Sequence, residues 1–337
     1  MPEKPEVQCF ADALNKHIQG KVLTSLQFDS RSRYREQRPA NYEALCSALP
    51  SLITRVWSKG KKVIICLKNG MTLLSSLSME GKWLPVPLKH SNLTLTCRGA
   101  GEEEDTLAYF DDARHQGTLE ILLTAVSLEE RLARIGPDLL NDNVTQEQWL
   151  RKMRQASLQQ KEICDVLMEQ SHFSGVGNYI KAMTLHAARV RPNALLSELS
   201  DEHLLCILEH ATRVIRESYE LRGASLHSYK DFYQQPGKFE VLVYDREDKK
   251  DQHGNAVKET TFADKRTTHW CPAYQTIPSP WNGPALLDVE KLRRSKGRGK
   301  DTYLMHELKE FCRQHKVAQE GTKGVLVDRL LAKVAVL

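Results

Sequence analysis

The first residues of the chain pair a nucleophile with carboxylic acids. If Met1 is removed, Pro2 becomes a free secondary amine, followed directly by Glu3 and, one helical turn later, by Glu6. An α-amino group has a pKa near 7.7 to 8.0, so roughly a tenth of it is neutral at pH 7, whereas a lysine is almost wholly protonated. A neutral amine can bond to an electrophilic carbon while a neighbouring acid transfers a proton.

A helix must position this pair. Apolar residues recur at helical spacing directly after it: Val7, Phe10, Ala11, Leu14 and Ile18. Gly20 follows as a stop signal, so the amine and the acid are predicted to lie at a helix entrance, where exposed N–H groups favour an anion. Proline and acids also serve as ordinary capping residues in a first turn. This stretch alone leaves both interpretations open.

Composition indicates a globular protein without a membrane segment. The chain has 337 residues, of which 41% are hydrophobic and 27% charged, and its length allows two or three domains. No apolar run reaches the roughly 20 residues that a membrane span needs, and the N-terminus lacks an apolar signal core. We therefore expect an intracellular protein.

The charge distribution points to a polyanionic partner. The net charge is only +5, but basic residues cluster at 59–62 and 293–300. The eight cysteines are scattered, with no Cys-x-x-Cys pair. That pattern argues against a zinc ribbon and a disulfide framework, and we expect no metal site and no cofactor.

Hydrophobic periodicity predicts an α+β protein whose N-terminal catalytic domain, 2–125, is a β-sandwich carrying the first helix. Residues 22–28 alternate as a strand does, and residues 41–49 suggest a short helix. Two β-prone runs flank Asn69-Gly70, which predicts a tight hairpin.

The remainder of the chain divides by composition. Helical periodicity dominates the next domain, 126–222, and β-prone runs return in a finger region, 223–275, where strands 239–244 and 267–270 are predicted to pair. A Pro-rich, basic linker at 276–300 and a helical pair at 301–333 complete the prediction.

A glycine-rich turn precedes one predicted helix. In Phe173-Ser174-Gly175-Val176-Gly177-Asn178, the glycines open onto the helix that begins at the asparagine. Such a turn lets backbone N–H groups approach a phosphate, although short glycine turns between helices often serve only as turns.

Taken together, the motifs resemble the formamidopyrimidine-DNA glycosylase/endonuclease VIII family. The resemblance covers residues 2 to about 275 and rests on motifs in the family's order: Pro2-Glu3 with Pro5-Glu6-Val7, Gly60-Lys61, Leu77-Ser78-Met79-Glu80-Gly81, Leu167-Met168-Glu169-Gln170, Gly175-Val176-Gly177-Asn178 and Arg266-Thr267-Thr268. It implies a β-sandwich, a helix-two-turn-helix domain and a finger hairpin, with DNA between the two lobes.

The resemblance implies roles for individual residues. Pro2 would attack the sugar C1′, with Glu3 as the acid and Lys61 as a further catalytic residue. Asn178 and Arg266 would bind phosphates beside the flipped nucleotide. An ordinary surface charge without a catalytic role is the alternative for Lys61, because Lys59 and Lys62 flank it.

Two further residues would fill the space that the flipped nucleotide leaves. Met79 matches the family's void-filling side chain and Arg114 its wedge arginine, although a methionine also fills hydrophobic cores. The family's aromatic wedge is lost, because His115 and Gln116 follow Arg114 here. Gln116 is predicted to contact DNA in its place or to be a surface residue.

Two other positions depart from the family pattern. The finger lacks all four zinc cysteines, and residues 266–272 resemble the zincless finger of plant and fungal members. Its hairpin would then be held by its own strand pairing and by Trp270. Met183 stands where the family usually has a glutamate, which puts a supporting hydrogen bond near the site in doubt.

The tail resembles a SAP module, a DNA-binding helical hairpin common in nuclear proteins. Leu308-Lys309, Gly321-x-Lys323 and residues 326–330 carry the match, and Lys323 would contact DNA. A helical hairpin used only for packing is the alternative.

These features predict a nuclear, monomeric, bifunctional DNA glycosylase/AP lyase of base excision repair that acts on damaged double-stranded DNA. It would remove ring-opened bases through an imine at Pro2 and cleave the strand by β,δ-elimination. The segment 224–237, where some members hold 8-oxoguanine, is brief, so weak action on 8-oxoguanine is expected. The alternative is a non-catalytic damaged-DNA or chromatin-binding protein. An RNA or ribosomal binder would leave the N-terminal lobe unexplained.

Overall fold

The computed structural model of the chain describes residues 2–226, 229–246, 248–277, 289–296, 302–303, 305–314 and 317–335. Helix α1 spans Lys4–Ile18, as its apolar spacing predicted. It buries one face in the N-terminal core, with Val7, Leu14 and Ile18 fully inaccessible to solvent. Burying side chains of this size contributes about 1.5–3 kcal/mol each, which anchors the helix that carries the N-terminal residues.

The N-terminal domain is built on eight antiparallel strands and a short helix, α2 (Tyr42–Ser47). The strands are β1 (Val22–Phe28), β2 (Ser51–Lys59), β3 (Lys62–Leu67), β4 (Thr72–Ser76), β5 (Lys82–Leu84), β6 (Ser91–Arg98), β7 (Thr106–Asp111) and β8 (Thr118–Leu122). The predicted hairpin around Asn69-Gly70 is β3–β4.

The strands form one hydrogen-bonded sheet in the order β5-β7-β6-β1-β2-β3-β4-β8. Its two halves meet at a short pairing of β1 with β2, Val22 with Leu52 and Leu23 with Ser51. One cluster of buried side chains draws from both halves and from α1. The predicted sandwich is therefore a continuous sheet that folds over a shared core.

Five α-helices follow: α3 (Ala125–Leu132), α4 (Gln146–Met153), α5 (Ile163–Met168), α6 (Asn178–Ala187) and α7 (Asp201–Glu220). Their core includes Trp149, whose indole N–H donates to the carbonyl oxygen of Leu204 at 2.8 Å. Helix α1 also packs against α7, so the helical domain lies directly against the N-terminal helix.

The finger hairpin pairs β9 (Lys258–Thr261) with β10 (Thr267–Trp270). The prediction that residues 239–244 form the first strand of this hairpin was wrong. Phe239 and Val243 are buried in the helical core instead, with Phe239 bridging to Ala224. Residues 239–244 are β-prone and mostly apolar, but they are packed into the core instead of pairing as a strand. Local sequence does not determine which of these two outcomes occurs.

The C-terminal part contains α8 (Val289–Arg294), α9 (Met305–Gln314) and α10 (Lys323–Ala335). They share a small core that includes Leu308, Phe311 and Leu330. Helix α8 lies within the predicted linker and buries Leu292 in this core, so that part of 276–300 is helical; residues 278–288 and 297–300 lie outside the described residues. Among the helices that the structure describes, none has the length and apolarity to cross a membrane.

Candidate active site

A cavity of about 510 Å³ opens beside Pro2, which is buried at the start of α1. The side chains around it come from both lobes and from the finger: Pro2, Val7, Lys61, Ser76, Leu77, Ser78, Met79, Gln116, Met168, Gln170 and Arg266. The fold thus brings together five of the residues that the sequence predicted for the site, Pro2, Lys61, Met79, Gln116 and Arg266, from positions up to 264 residues apart.

Glu3 lies against the N-terminus of α6, where its carboxylate accepts the N–H groups of Tyr179 at 2.8 Å and Ile180 at 3.2 Å. A Cβ atom on Gly177 would lie 2.2 Å from the Glu3 Cδ atom, so this glycine makes room for the acid. Of the two interpretations left open for the glycine turn, free N–H groups for a phosphate do not apply to these two donors, because Glu3 already occupies them.

The pKa of Glu3 is raised to about 7, mainly by burial. The charge of nearby Glu6 also raises this pKa, whereas Lys61 and the α6 N–H groups lower it. Near neutral pH, protonated and ionised Glu3 are thus both populated. A carboxyl group with this pKa is suited to donate and accept a proton in one reaction cycle.

Glu6 connects the start of α1 to α6 and to the segment after α7 through hydrogen bonds. One of its oxygens accepts the Glu3 N–H at 2.8 Å, and the other accepts the Tyr179 hydroxyl and the Ala224 N–H, both at 2.9 Å. Tyr179 in turn bonds to Ser218 of α7 at 3.0 Å. Sequence reasoning identified Glu6 only as an acid near the amine. The position of Glu6 three residues after Glu3, in capping-box register, is the signal for this second role.

Lys61 lies at the turn between β2 and β3, with its side chain on the cavity. The turn is held at Gly60, which has φ +53° and donates its N–H to Asp138 at 2.7 Å. Burial lowers the pKa of Lys61, and the Arg266 charge lowers it further, while Glu3 opposes both effects. The charges of Lys61 and Glu3 thus influence each other, so a cation and an acid lie near one another beside Pro2.

Asn178 and Arg266 are brought close by the docking of the finger onto α6. The Asn178 side chain donates to the carbonyl oxygen of Thr267 at 2.8 Å. Beside it, Lys181 and Asp264 form a salt bridge with side-chain exposures of 0% and 1%. Asp264 also accepts the Arg266 N–H at 3.1 Å, so this buried pair supports the finger arginine.

The residues predicted to fill the duplex lie on two loops at the cavity mouth. Met79 and Gln116 line the cavity, whereas Arg114 is exposed and pairs with Glu80 at 2.8 Å. We call residues 114–116 the wedge loop; Asp112 holds its two ends by accepting the N–H groups of Arg114 at 3.2 Å and Gly117 at 2.6 Å.

Met183 does not contact the cavity. It is buried in the helical core, where its sulfur accepts the Leu242 N–H at 3.2 Å. No acid therefore projects from this position of α6. The acid that supports Arg266 is Asp264, which belongs to the finger itself, and nothing in the sequence marked its pairing with Lys181.

One group of side chains in the finger region has the composition of a metal site. The ligand atoms of His186, Asp251 and Cys271 lie within 4.8 Å of one another, and all three residues are buried. His186 bonds to Asp251 at 2.9 Å, and Asp251 also accepts N–H groups from His253 at 2.9 Å and Asn255 at 2.8 Å. Its oxygens thus already have protein donors.

Lys323 is the one predicted DNA contact in the C-terminal module. It is the first residue of α10, and its amine bonds to the Thr302 hydroxyl at 3.2 Å. It is not among the residues that line the cavity.

Comparison with known protein families gives two matches. The family described as formamidopyrimidine-DNA glycosylase N-terminal domain matches residues 1–119, and that described as formamidopyrimidine-DNA glycosylase H2TH domain matches residues 135–230. Together they cover well over half of the chain.

Individual relatives agree. Endonuclease 8 of Salmonella arizonae is 26% identical over 278 residues, covering 82% of this chain and 100% of that protein. Formamidopyrimidine-DNA glycosylase of an Exiguobacterium species is 28% identical over 283 residues, covering 82% and 99%. Roughly a fifth of this chain lies outside these alignments.

Solved structures show the same fold. The Thermus thermophilus MutM (Fpg) protein has a TM-score of 0.70 and 26% identity, covering 81% of this chain and 98% of that one. A complex of a Lactococcus lactis Fpg variant with DNA that contains Fapy-dG has a TM-score of 0.70 and 26% identity, covering 82% and 100%.

Proposed function

Because the chain belongs to the formamidopyrimidine-DNA glycosylase/endonuclease VIII family, a family of DNA repair enzymes, we propose that it is a bifunctional DNA glycosylase/AP lyase that uses Pro2 as its nucleophile. The observation that carries this proposal is that Pro2, Lys61 and Arg266 line one cavity. Glu3 directly follows Pro2 in the chain and is held in place by the N–H groups of α6.

The substrate would be a nucleotide rotated out of the duplex. A base inside the stack is out of reach of a buried amine, and extruding it costs a few kcal/mol, less where the base is damaged. Met79 and Gln116 lie at the mouth of the cavity, and Arg114 lies on the same loop as Gln116. In this proposal they occupy the space that the nucleotide leaves.

Neutral Pro2 would then bond to the sugar C1′ while the bond from C1′ to the base breaks. The electron pair leaves with the base, which takes up the proton that the amine nitrogen loses. Glu3 in its protonated form supplies a proton to the ring oxygen, which opens the sugar and leaves an iminium ion. Loss of the C2′ proton expels the 3′-phosphate, and a second elimination expels the 5′-phosphate. Water then hydrolyses the remaining imine, which releases the sugar fragment and regenerates the Pro2 amine.

The cations around the cavity would hold the DNA backbone. Lys61 and Arg266 line the cavity, and Asn178 is tied to the finger beside Arg266. On duplex DNA, log K falls with log[salt] by about 0.9 for each phosphate contact. Charge-removing substitutions at Lys61 and Arg266 should each lower that slope, and an unchanged slope would count against phosphate binding.

Borohydride trapping tests the chemistry. Reduction of the iminium ion should leave Pro2 covalently attached to DNA that contains an abasic site, with peptide mapping showing the adduct at residue 2. Glu3→Gln and Pro2→Gly should reduce base release to a small residual rate while binding persists. Full binding without any adduct in the unsubstituted protein would instead indicate a non-catalytic damaged-DNA binder.

For lesion choice we propose ring-opened and further-oxidised purines and abasic sites, with weak action on 8-oxoguanine. The support is the resemblance of residues 266–272 to the zincless finger of plant and fungal members and the brevity of segment 224–237. Excision from matched duplexes tests it, since faster removal of 8-oxoguanine than of formamidopyrimidine would reverse the assignment. Stoichiometric zinc in the purified protein would contradict the zincless finger.

We also propose that the C-terminal helices form a SAP-like DNA-binding module and that the protein acts as a monomer in the nucleus. Support comes from the compact core of α8, α9 and α10 and from the basic stretch at 293–300. If Lys323 contacts DNA, Lys323→Gln should weaken duplex binding a few-fold and lower the salt slope by about 0.9. Imaging of the tagged protein in its host cell tests the location.

A further inference from the structure

An arginine-rich segment adjoins the wedge loop, and the function proposed above does not use it. Residues 29–38, which we call the arginine loop, connect β1 to α2 and contain four arginines, Arg31, Arg33, Arg35 and Arg38, all exposed. We propose that Arg33 and Arg38 bind phosphates of the undamaged DNA strand. This inference rests on the proposed function, because that function places the DNA in the cleft.

Pairing within the loop leaves two of its charges uncompensated. Arg31 forms an ion pair with Asp29 at 2.8 Å, and Arg35 pairs with Glu36 at 3.0 Å. In the part of the chain that the structure describes, Arg33 and Arg38 have no carboxylate within ion-pair distance. Two positive charges therefore remain available to an anion.

The protein contacts of these two arginines are hydrogen bonds to carbonyl oxygens, which do not cancel a charge. Arg33 donates from one terminal nitrogen to the carbonyl oxygen of Gly117 at 3.3 Å, and Arg38 donates to that of Tyr34 at 3.2 Å. A guanidinium group carries five N–H donors, so donors remain on each side chain for phosphate oxygens.

Aromatic rings hold both guanidinium groups in place. Arg33 lies 5.5 Å from the centre of the Tyr34 ring, and Arg38 lies 5.2 Å and 5.4 Å from the rings of Phe28 and Tyr42. Stacking of this kind restricts an exposed side chain without neutralising its charge, which lowers the entropic cost of a later contact.

The position of the loop indicates which strand it meets. Arg33 bonds to the main chain of Gly117 at the end of the wedge loop, whose Gln116 lines the Pro2 cavity. If the damaged nucleotide enters that cavity and the wedge loop fills the gap behind it, the next backbone beyond the wedge is that of the undamaged strand. The arginine loop therefore faces phosphates that a single-stranded substrate lacks.

The test compares binding to duplex and single-stranded DNA. Affinities of the unsubstituted protein, Arg33→Gln/Arg38→Gln and Arg33→Lys/Arg38→Lys are measured over a series of salt concentrations, with one strand carrying a stable tetrahydrofuran abasic analogue. Arg98→Gln is the matched control, since Arg98 is an exposed arginine at the far end of the β1–β6 pairing. Thermal unfolding verifies that each variant is folded.

We expect the glutamine pair to lower the duplex salt slope by about 1.8, which is two phosphate contacts, with no change for the single strand. The lysine pair should keep the duplex slope, because it keeps the charge while losing the planar group. That result separates phosphate binding from a merely structural role, in which the lysine pair would fail as the glutamine pair does.

Two results would overturn the inference. An unchanged duplex slope, or one that changes equally in Arg98→Gln, means that no phosphate is bound. An equal loss on single-stranded DNA would place the two arginines on the damaged strand. Borohydride trapping of the unsubstituted protein on a single-stranded abasic oligonucleotide is a separate measurement, so failure of the proposed chemistry is recognised independently of these slopes.

Discussion

The pocket around Glu3, directly after the cavity residue Pro2, and the wedge loop, whose Gln116 lines the same cavity, are built in opposite ways. Glu3 is 1% exposed, and its carboxylate accepts two N–H groups of α6, whereas Arg114 has 55% of its side chain exposed and one salt bridge, to Glu80. The comparison teaches that the residues assigned to chemistry are fixed before DNA arrives. Those assigned to the vacated duplex space can still move.

The difference follows from what each region would do in the proposed reaction. A proton donor has to keep its distance and its pKa through the reaction, and both depend on burial and on fixed donors. A wedge has to enter a stack of bases that differs with each lesion and partner base. Held at its ends by Asp112, the wedge loop can change side-chain rotamers without disturbing the pocket.

The largest effect is expected from filling the space beside Glu3. Gly177→Ala would place a methyl group 2.2 Å from the Glu3 Cδ atom, so Glu3 must leave the α6 N-terminus. We expect base release to fall by at least about a thousandfold and stability to fall by about 1–3 kcal/mol. Single-turnover kinetics and denaturant unfolding measure the two effects.

Gly324→Ala is its matched control, because no atom lies within 4 Å of a Cβ there. That change lies in α10 and should leave base release intact while stabilising the helix by up to about 1 kcal/mol. Normal kinetics in Gly177→Ala would show that the Glu3 position is less constrained than the contacts indicate.

The second expected effect is on the pH profile. In the proposed reaction base release requires protonated Glu3 and neutral Pro2. The rate should therefore rise with pH up to about pH 7, level off between about pH 7 and 8 as Glu3 ionises while the amine loses its proton, and fall at higher pH. The residual activity of Glu3→Gln should lack the fall on the alkaline side. A falling limb that persists in this variant would assign it to another group.

The same pKa makes a stability prediction. Folding raises the pKa of Glu3 from 4.5 to about 7, so folded protein binds a proton that unfolded protein releases between these values. Glu3 therefore stabilises the protein fully below about pH 4.5, and this contribution is lost as the pH rises to about 7. The Tm difference between Glu3→Gln and the unsubstituted protein should change with pH in this window.

A smaller effect on base release is expected from changes in the finger. Like Glu3, the finger is bonded to α6, and its Arg266 lines the cavity. Asp264→Asn leaves Lys181 buried without a counter-charge and leaves one side-chain oxygen in place of the two that accept from Lys181 and from the Arg266 N–H. We expect KM to rise about tenfold or more with a smaller change in kcat. Lys181→Met/Asp264→Leu, which removes both charges, should recover finger docking; no recovery would mean that the charges themselves are needed.

The smallest effects should come from the wedge loop. Gln116→Ala and Glu80→Gln are expected to change base release by only about two- to fivefold, because both side chains are partly or largely exposed. Their effect should depend on the base opposite the lesion, which a panel of four duplexes measures. A uniform loss of a hundredfold would show that the wedge loop is as constrained as the pocket, and the comparison would fail.

Local features of the structure could be predicted from the sequence. The order Pro2-Glu3, the helix from its apolar spacing and the hairpin around Asn69-Gly70 all depend on neighbours within a few residues, and all are found in the structure. The run of arginines at 31–38 was equally visible, and only its placement beside the wedge loop gave it a meaning.

The contacts that the N-terminal residues and the finger make could be found only from the tertiary structure. The docking of Glu3 on α6 joins residues 176 positions apart, and the Lys181–Asp264 pair joins residues 83 apart. Residues 239–244 had the composition of a strand but are packed into the helical core. The pKa of Glu3 and the support of Arg266 depend on burial and on distant donors, which local sequence does not specify.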